Sequence, residues 1–143
     1  MLYFDTAYIA KCYLNEPGAA SVRHIAYSSS GIASCELARV EFHVTVHRHL
    51  RESHLTADRA RRAVEDFLMD EADGVWCWFP ATSSLLEQIC DRIKLLPPGV
   101  FLRTVDAIHL TCASSNGFQA IYSNDRHLLA AAPYFGLTGI NII

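Results

Sequence analysis

Short apolar runs alternate with longer stretches of mixed polarity along the whole chain of 143 residues. Leu2–Phe4 reads as a strand, followed by a helix over Thr6–Leu14 that stops near Asn15 and Pro17-Gly18, which cannot continue it. Ala19–Tyr27 reads as a second helix, ended by the turn-prone Ser28-Ser29-Ser30-Gly31. Cys35–Leu50 is expected as one long helix capped by Ser34, and Thr56 is expected to cap another that runs to about Ala72 before the turn at Asp73-Gly74. Val75–Phe79 is the strongest strand by aromatic and β-branched content. Residues 82–94 read as a helix broken by Leu96-Pro97-Pro98-Gly99, followed by a helix over Thr104–Ser115, a strand over Ala120–Ser123 and a helix over Asp125–Ala132. Ile140–Ile143 is expected as the last strand. This alternation predicts one domain over 1–143, an α/β sandwich around a mainly parallel sheet. Such sheets collect ligands at the carboxyl ends of their strands.

Composition narrows the class. Hydrophobic residues make up 51% and charged residues 19%, a globular balance in a chain able to bury a real core. No apolar run approaches the roughly 20 residues of a membrane helix, and the amino terminus lacks a basic segment followed by an apolar core, so no membrane contact and a cytoplasmic location are expected. The net charge of −3 argues against nucleic-acid binding through bulk charge. A local path remains open, because Arg48, Arg51, Arg59, Arg61 and Arg62 cluster with few acids among them; they form either a solvated helix face or a contact surface. Five scattered cysteines (Cys12, Cys35, Cys77, Cys90, Cys112) lack the paired spacing of a zinc site and are expected as buried, reduced thiols.

Asp5, Asp106 and Asp125 are the candidates for chemistry. Each sits at the start of a predicted helix that follows a strand or loop, where an acid also has ordinary roles as a cap or as a charge favoured by the helix dipole. Gathered on one rim, they would supply hard oxygen ligands to a divalent cation. Glu36 and Glu41 are the further acids; at ~100° per residue they point roughly 140° apart and flank the apolar stripe Leu37, Val40, Val44 on opposite sides. Glu36 is explained by the first helical turn, so Glu41, in mid-helix, is the better ligand candidate.

Rival schemes are weaker. His43 and His47 share a helix face but lack the glutamate of the zinc-protease motif, and exposed histidines are the expectation. His109, in an apolar stretch, is expected to be buried and hydrogen-bonded to backbone or a carboxylate. Neither a Gly-x-Ser-x-Gly elbow nor a glycine-rich phosphate loop is present. A haloacid-dehalogenase-type phosphatase would want a second aspartate two positions after Asp5, where Ala7 stands. A non-catalytic binding module is the other alternative.

Four segments together resemble a known family: Leu2-Tyr3-Phe4-Asp5-Thr6-Ala7, Ala33-Ser34-Cys35-Glu36-Leu37-Ala38-Arg39-Val40-Glu41, Leu102-Arg103-Thr104-Val105-Asp106-Ala107-Ile108-His109-Leu110 and Ile121-Tyr122-Ser123-Asn124-Asp125-Arg126-His127-Leu128. Their order and spacing look like a PIN-domain protein, specifically a VapC-type ribonuclease toxin. The resemblance implies a three-layer α/β/α sandwich, RNA cleavage dependent on Mg²⁺ or Mn²⁺, a homodimer, and a cognate antitoxin protein. By position it implies Asp5, Glu41, Asp106 and Asp125 as the catalytic and metal-binding acids, with Thr6 and Arg103 supporting them. The chain departs from the family's pattern in two places: Ala7 stands where serine is frequent, and Ser123-Asn124 replaces a common Thr-Tyr just before Asp125.

Overall fold

The computed structural model describes residues 1–143. Three parallel strands, β1 (Leu2–Tyr3), β2 (Ile32–Cys35) and β3 (Trp76–Phe79), form one sheet in the order β1-β2-β3. A second parallel pair joins β4 (Ala120–Tyr122) to β5 (Thr138–Ile140). A parallel bridge between Phe4 and Tyr122, with the Asp5 N–H donating to the Tyr122 carbonyl at 3.1 Å, links them into a continuous β3-β2-β1-β4-β5 array.

Alternation of side chains across the strands builds the two faces. Phe4, Ile32 and Trp76 point to one face, against α1 (Thr6–Tyr13), α2 (Ala19–Ser28), α3 (Leu37–Arg51) and α4 (Ala57–Ala72). Tyr3, Ala33 and Cys35 point to the other, against α5 (Ser83–Lys94), α6 (Thr104–Ser115) and α7 (Arg126–Ala131). The result is the three-layer α/β/α sandwich. The first layer is tied by aromatic packing, with Phe42 stacked on Phe67 at 4.3 Å between ring centres. Tyr13 adds a polar pin there: its hydroxyl donates to Asp70 at 2.6 Å and accepts from the Trp76 indole at 2.7 Å. No helix is long and apolar enough to cross a membrane.

Several expectations need correction. Cys35 belongs to β2 and not to the long helix, which starts at Leu37, and Ser34 does not cap it: its hydroxyl donates to the Phe4 carbonyl at 2.7 Å. Ile32-Ala33-Ser34-Cys35 carries little β propensity, but it lies fully buried between two partner strands, and ladder pairing on both edges decides its conformation. The apolar stripe of α3 is Ala38, Phe42 and Val46, whereas Val40 and Val44 are 61% and 62% exposed. The last strand lies earlier than expected, at Thr138–Ile140. Gly139 allows this, because a Cβ there would sit 3.0 Å from the Leu129 backbone of α7; Asn141 and Ile142 instead bond the Tyr8 hydroxyl. All five cysteines are free, but only Cys35 and Cys112 are buried, and Cys90 is exposed.

Candidate active site at the carboxyl ends of β1 and β4

From β1 the chain crosses to β2 on one side, while β4 lies on the other, so a crevice opens where the two strands end. Asp5 leaves β1 into this crevice as the N-cap of α1, its Oδ1 accepting from the Tyr8 N–H at 2.9 Å. Its Oδ2 accepts a short hydrogen bond from Ser123, the residue after β4, and the same hydroxyl accepts from the Asp125 N–H at 2.9 Å. Burial pushes the Asp5 pKa up to about 6, against the opposing pull of the Ser123 and Tyr8 bonds.

Glu41 enters from α3. Its Oε2 accepts from the Thr6 hydroxyl at 2.6 Å and from His109 Nε2 at 2.9 Å. Burial alone would raise the Glu41 pKa, but the hydrogen bond and charge of His109, with the Thr6 bond, bring it below the usual range. Burial likewise opposes charge on the His109 ring, yet Glu41 outweighs it and the pKa is raised. Glu36 lies elsewhere, accepting from the Ala81 N–H at 3.0 Å.

Asp106 sits in the first turn of α6 and is buried. Arg103 grips it in a fork, Nε to Oδ2 at 2.8 Å and a terminal nitrogen to Oδ1 at 3.2 Å, and the same nitrogen makes a short bond to Asp125 Oδ2. Such forked charge-assisted pairs are the strong kind. Asp125 caps α7, accepting at Oδ1 from the His127 N–H at 2.8 Å and the Leu128 N–H at 3.3 Å. Burial raises the Asp125 pKa, but those amides and Arg103 outweigh it and hold the carboxyl low.

The structure therefore places Asp5, Thr6, Glu41, Arg103, Asp106 and Asp125 on one open cleft of about 640 Å³, lined also by the exposed Arg48 and by the buried Lys11, which is paired with Glu16. As they stand, no three Asp, Glu, His or Cys side chains form a ready cage for an ion. The reason is visible in the hydrogen bonds: Arg103 holds the carboxylates of Asp106 and Asp125, while Thr6 and His109 hold one oxygen of Glu41. The donor set still fits a divalent cation, since Mg²⁺ accepts hard oxygens, keeps several waters and needs only one or two carboxylates. Glu41 Oε1 carries no hydrogen bond, so it can serve as a ligand once Arg103 yields its partners. His43 forms no such site; its Nδ1 lies 2.8 Å from the Arg39 carbonyl on an exposed helix face.

One contributor escapes a reading of single motifs. Ser123, noted only as a departure from the family's pattern, joins Asp5 to Asp125 through one hydroxyl. His109, expected to be buried and hydrogen-bonded to backbone or a carboxylate, is both: its Nε2 meets Glu41, and it shares a helix face with Asp106 three positions before it.

The PIN domain family profile matches residues 2–133. In architecture the chain is similar to the crystal structure of VapC20 of Mycobacterium tuberculosis, a toxin that cleaves the sarcin-ricin loop, with a TM-score of 0.71 at 17% identity over 92% of this chain and 95% of that one. It is also similar to a chain of VapBC2 from Rickettsia felis bound to a DNA fragment from their promoter, with a TM-score of 0.66 at 13% identity over 99% and 98% of the two chains. No curated protein matches it in sequence. With the profile spanning nearly the whole chain and the α/β/α sandwich in agreement with it, the chain belongs to the PIN-domain family.

Proposed function

We propose that this protein is a metal-dependent endoribonuclease, the toxin of a toxin–antitoxin pair, which hydrolyses an RNA phosphodiester in the cleft between β1 and β4. The observation that carries the reading is the convergence of Asp5, Glu41, Asp106 and Asp125, from four separate segments, on one open cleft with an arginine among them. Asp5, Glu41 and Asp106 would hold Mg²⁺ or Mn²⁺, with Asp125 completing the set directly or through water. A cation so held supplies Lewis-acid stabilisation of the phosphate and a nucleophilic water at neutral pH.

The remaining work falls to the chain's own residues. Thr6 keeps Glu41 turned toward the cleft. Ser123 holds Asp5 and the α7 amino terminus in one frame. Arg103 is 53% exposed and pairs with two of the four acids, so it acts as an internal counter-cation that gives way on loading and then donates to a phosphate oxygen of the RNA. Arg48, exposed on the same cleft, extends that positive lining toward the phosphate backbone. The partners proposed with this reading are RNA, a cognate antitoxin that covers the acidic cleft with a basic side chain, and a second copy of the chain, in the cytoplasm.

Arg103→Gln separates the two roles of the arginine. Single-turnover cleavage is expected to fall about 100-fold, the scale of losing one donor to developing charge, while Mn²⁺ affinity by calorimetry stays the same or tightens. Weakened Mn²⁺ binding would show instead that Arg103 holds the acids in place for the cation. The reading as a whole is tested on total RNA with chelator-stripped protein: discrete new ends are expected only after Mg²⁺ or Mn²⁺ is restored, and undiminished cleavage in excess chelator would refute it.

A further inference from the structure

We infer that His109, braced by Tyr3, is a positioning residue that turns the Glu41 carboxylate so that its free oxygen faces the cleft. The inference rests on the reading of that cleft as a divalent-cation site, and it adds a residue pair that the acidic motif does not contain.

An unbroken hydrogen-bonded chain runs through the core. The Cys35 N–H, at the end of β2, donates to the Tyr3 hydroxyl at 3.0 Å. That hydroxyl lies 3.3 Å from His109 Nδ1, and His109 Nε2 lies 2.9 Å from Glu41 Oε2 and 3.3 Å from the Thr6 hydroxyl. Tyr3 is fully buried and His109 is 2% exposed, so water does not compete for these bonds. The anchor at the far end is strand backbone, the least mobile part of such a fold. Packing locks the ring as well, since Tyr3 meets His109 edge-on with centroids 6.1 Å apart.

The orientation of the ring follows from the donors available. The Tyr3 oxygen accepts from Cys35, which leaves its own hydrogen free to point at Nδ1 of a neutral ring; a charged ring carries hydrogens on both nitrogens. In either state Nε2–H faces Glu41. Oε2 then receives two donors, from Thr6 and His109, while Oε1 receives none. A free glutamate side chain samples several rotamers, and ordering it carries an entropic cost. Two donors on one oxygen select the rotamer that presents the other to a cation. Residues that orient a ligand through its second atom typically change metal affinity by about 10–100-fold when lost.

The test is Mn²⁺ binding by the intact protein, followed by electron paramagnetic resonance without RNA, in the wild type, Glu41→Gln, His109→Leu, His109→Gln and Tyr3→Phe. His109→Leu is expected to weaken Mn²⁺ about 10–100-fold. His109→Gln, whose amide N–H can reach Oε2, is expected to recover most of that loss, and Tyr3→Phe to cost a smaller factor. Circular dichroism and thermal unfolding report whether each variant folds; should His109→Leu fail to fold, His109→Gln and Tyr3→Phe are compared with the wild type directly, both binding more weakly than it and more tightly than Glu41→Gln. Binding lost in Glu41→Gln but intact in folded His109→Leu overturns the inference alone. Equal weakening in His109→Leu and His109→Gln with wild-type binding in Tyr3→Phe also overturns it, by showing a packing effect. No Mn²⁺ binding in the wild type, or binding unchanged in Glu41→Gln, removes the metal reading beneath it.

Discussion

Asp5→Asn is expected to make the cation-free protein more stable at neutral pH and to cripple the RNA cleavage proposed for it. Burial raises the folded pKa of Asp5 to about 6, against roughly 3.9 for an unfolded aspartate. The folded state therefore holds a proton that the unfolded state has already released. The stability this group contributes is fully present below the unfolded pKa and is lost as pH rises through the folded one. Above pH 6 the ionised, desolvated carboxylate costs up to about 3 kcal/mol relative to its protonated form. Asparagine avoids that cost while keeping the shape: its oxygen can still accept from the Tyr8 N–H, and its amide can donate to Ser123. Chemical denaturation in chelating buffer should show the variant about 2–3 kcal/mol more stable at pH 7.5, with the difference closing near pH 4. On the proposed reading cleavage should fall by at least about 100-fold, because a carboxylate proposed to hold the cation is lost. A variant that is equally stable, or less stable, across this range would contradict the account of Asp5 as an ionisable group held at a cost for chemistry.

The second large effect is structural. Phe42→Ala should destabilise the fold by about 3–5 kcal/mol, a large share of the roughly 5–15 kcal/mol available to a domain. Phe42 is fully buried, stacks on Phe67 at 4.3 Å and meets Tyr13 edge-on at 5.3 Å. Losing the ring opens a cavity between α3 and α4 and removes aromatic pairing as well. The site feels this, because Glu41 precedes Phe42 and depends on the rotation of α3 to face the cleft. Phe42→Leu, which fills most of the space, should cost about 1–2 kcal/mol. Denaturant midpoints rank the three proteins, and a Phe42→Ala loss below about 1 kcal/mol would mean that α3 is held chiefly elsewhere.

Elements with their own periodicity were legible in the sequence. Thr56 caps its helix through its side-chain oxygen, the helix read over 82–94 is present as Ser83–Lys94, and the aromatic run Trp76–Phe79 forms a strand. The alternation of elements led to the sandwich, and the family profile agrees with it. Elements that owe their form to neighbours were misread. Ile32–Cys35 is a strand because β1 and β3 flank it, and its small residues carry no local signal. The α3 stripe was misplaced because Val40 and Val44 are apolar yet exposed, and hydrophobicity alone does not say which face meets a partner element. At the site, the acids could be nominated one by one from their positions at helix starts. Their connections could not: the Ser123 link, the Arg103 fork over Asp106 and Asp125, and the line from Tyr3 through His109 to Glu41 join residues far apart in the chain.

The central claim is that this carboxylate cleft cleaves RNA through a bound cation. The most direct measurement is cleavage of total RNA at saturating Mn²⁺ by the purified wild type and by Asp106→Asn, at matched concentration, with new ends mapped at single-nucleotide resolution. The account predicts discrete ends from the wild type and at least about a 100-fold loss in the variant, with both proteins folded by circular dichroism. Identical ends at equal rates from the two proteins would contradict it.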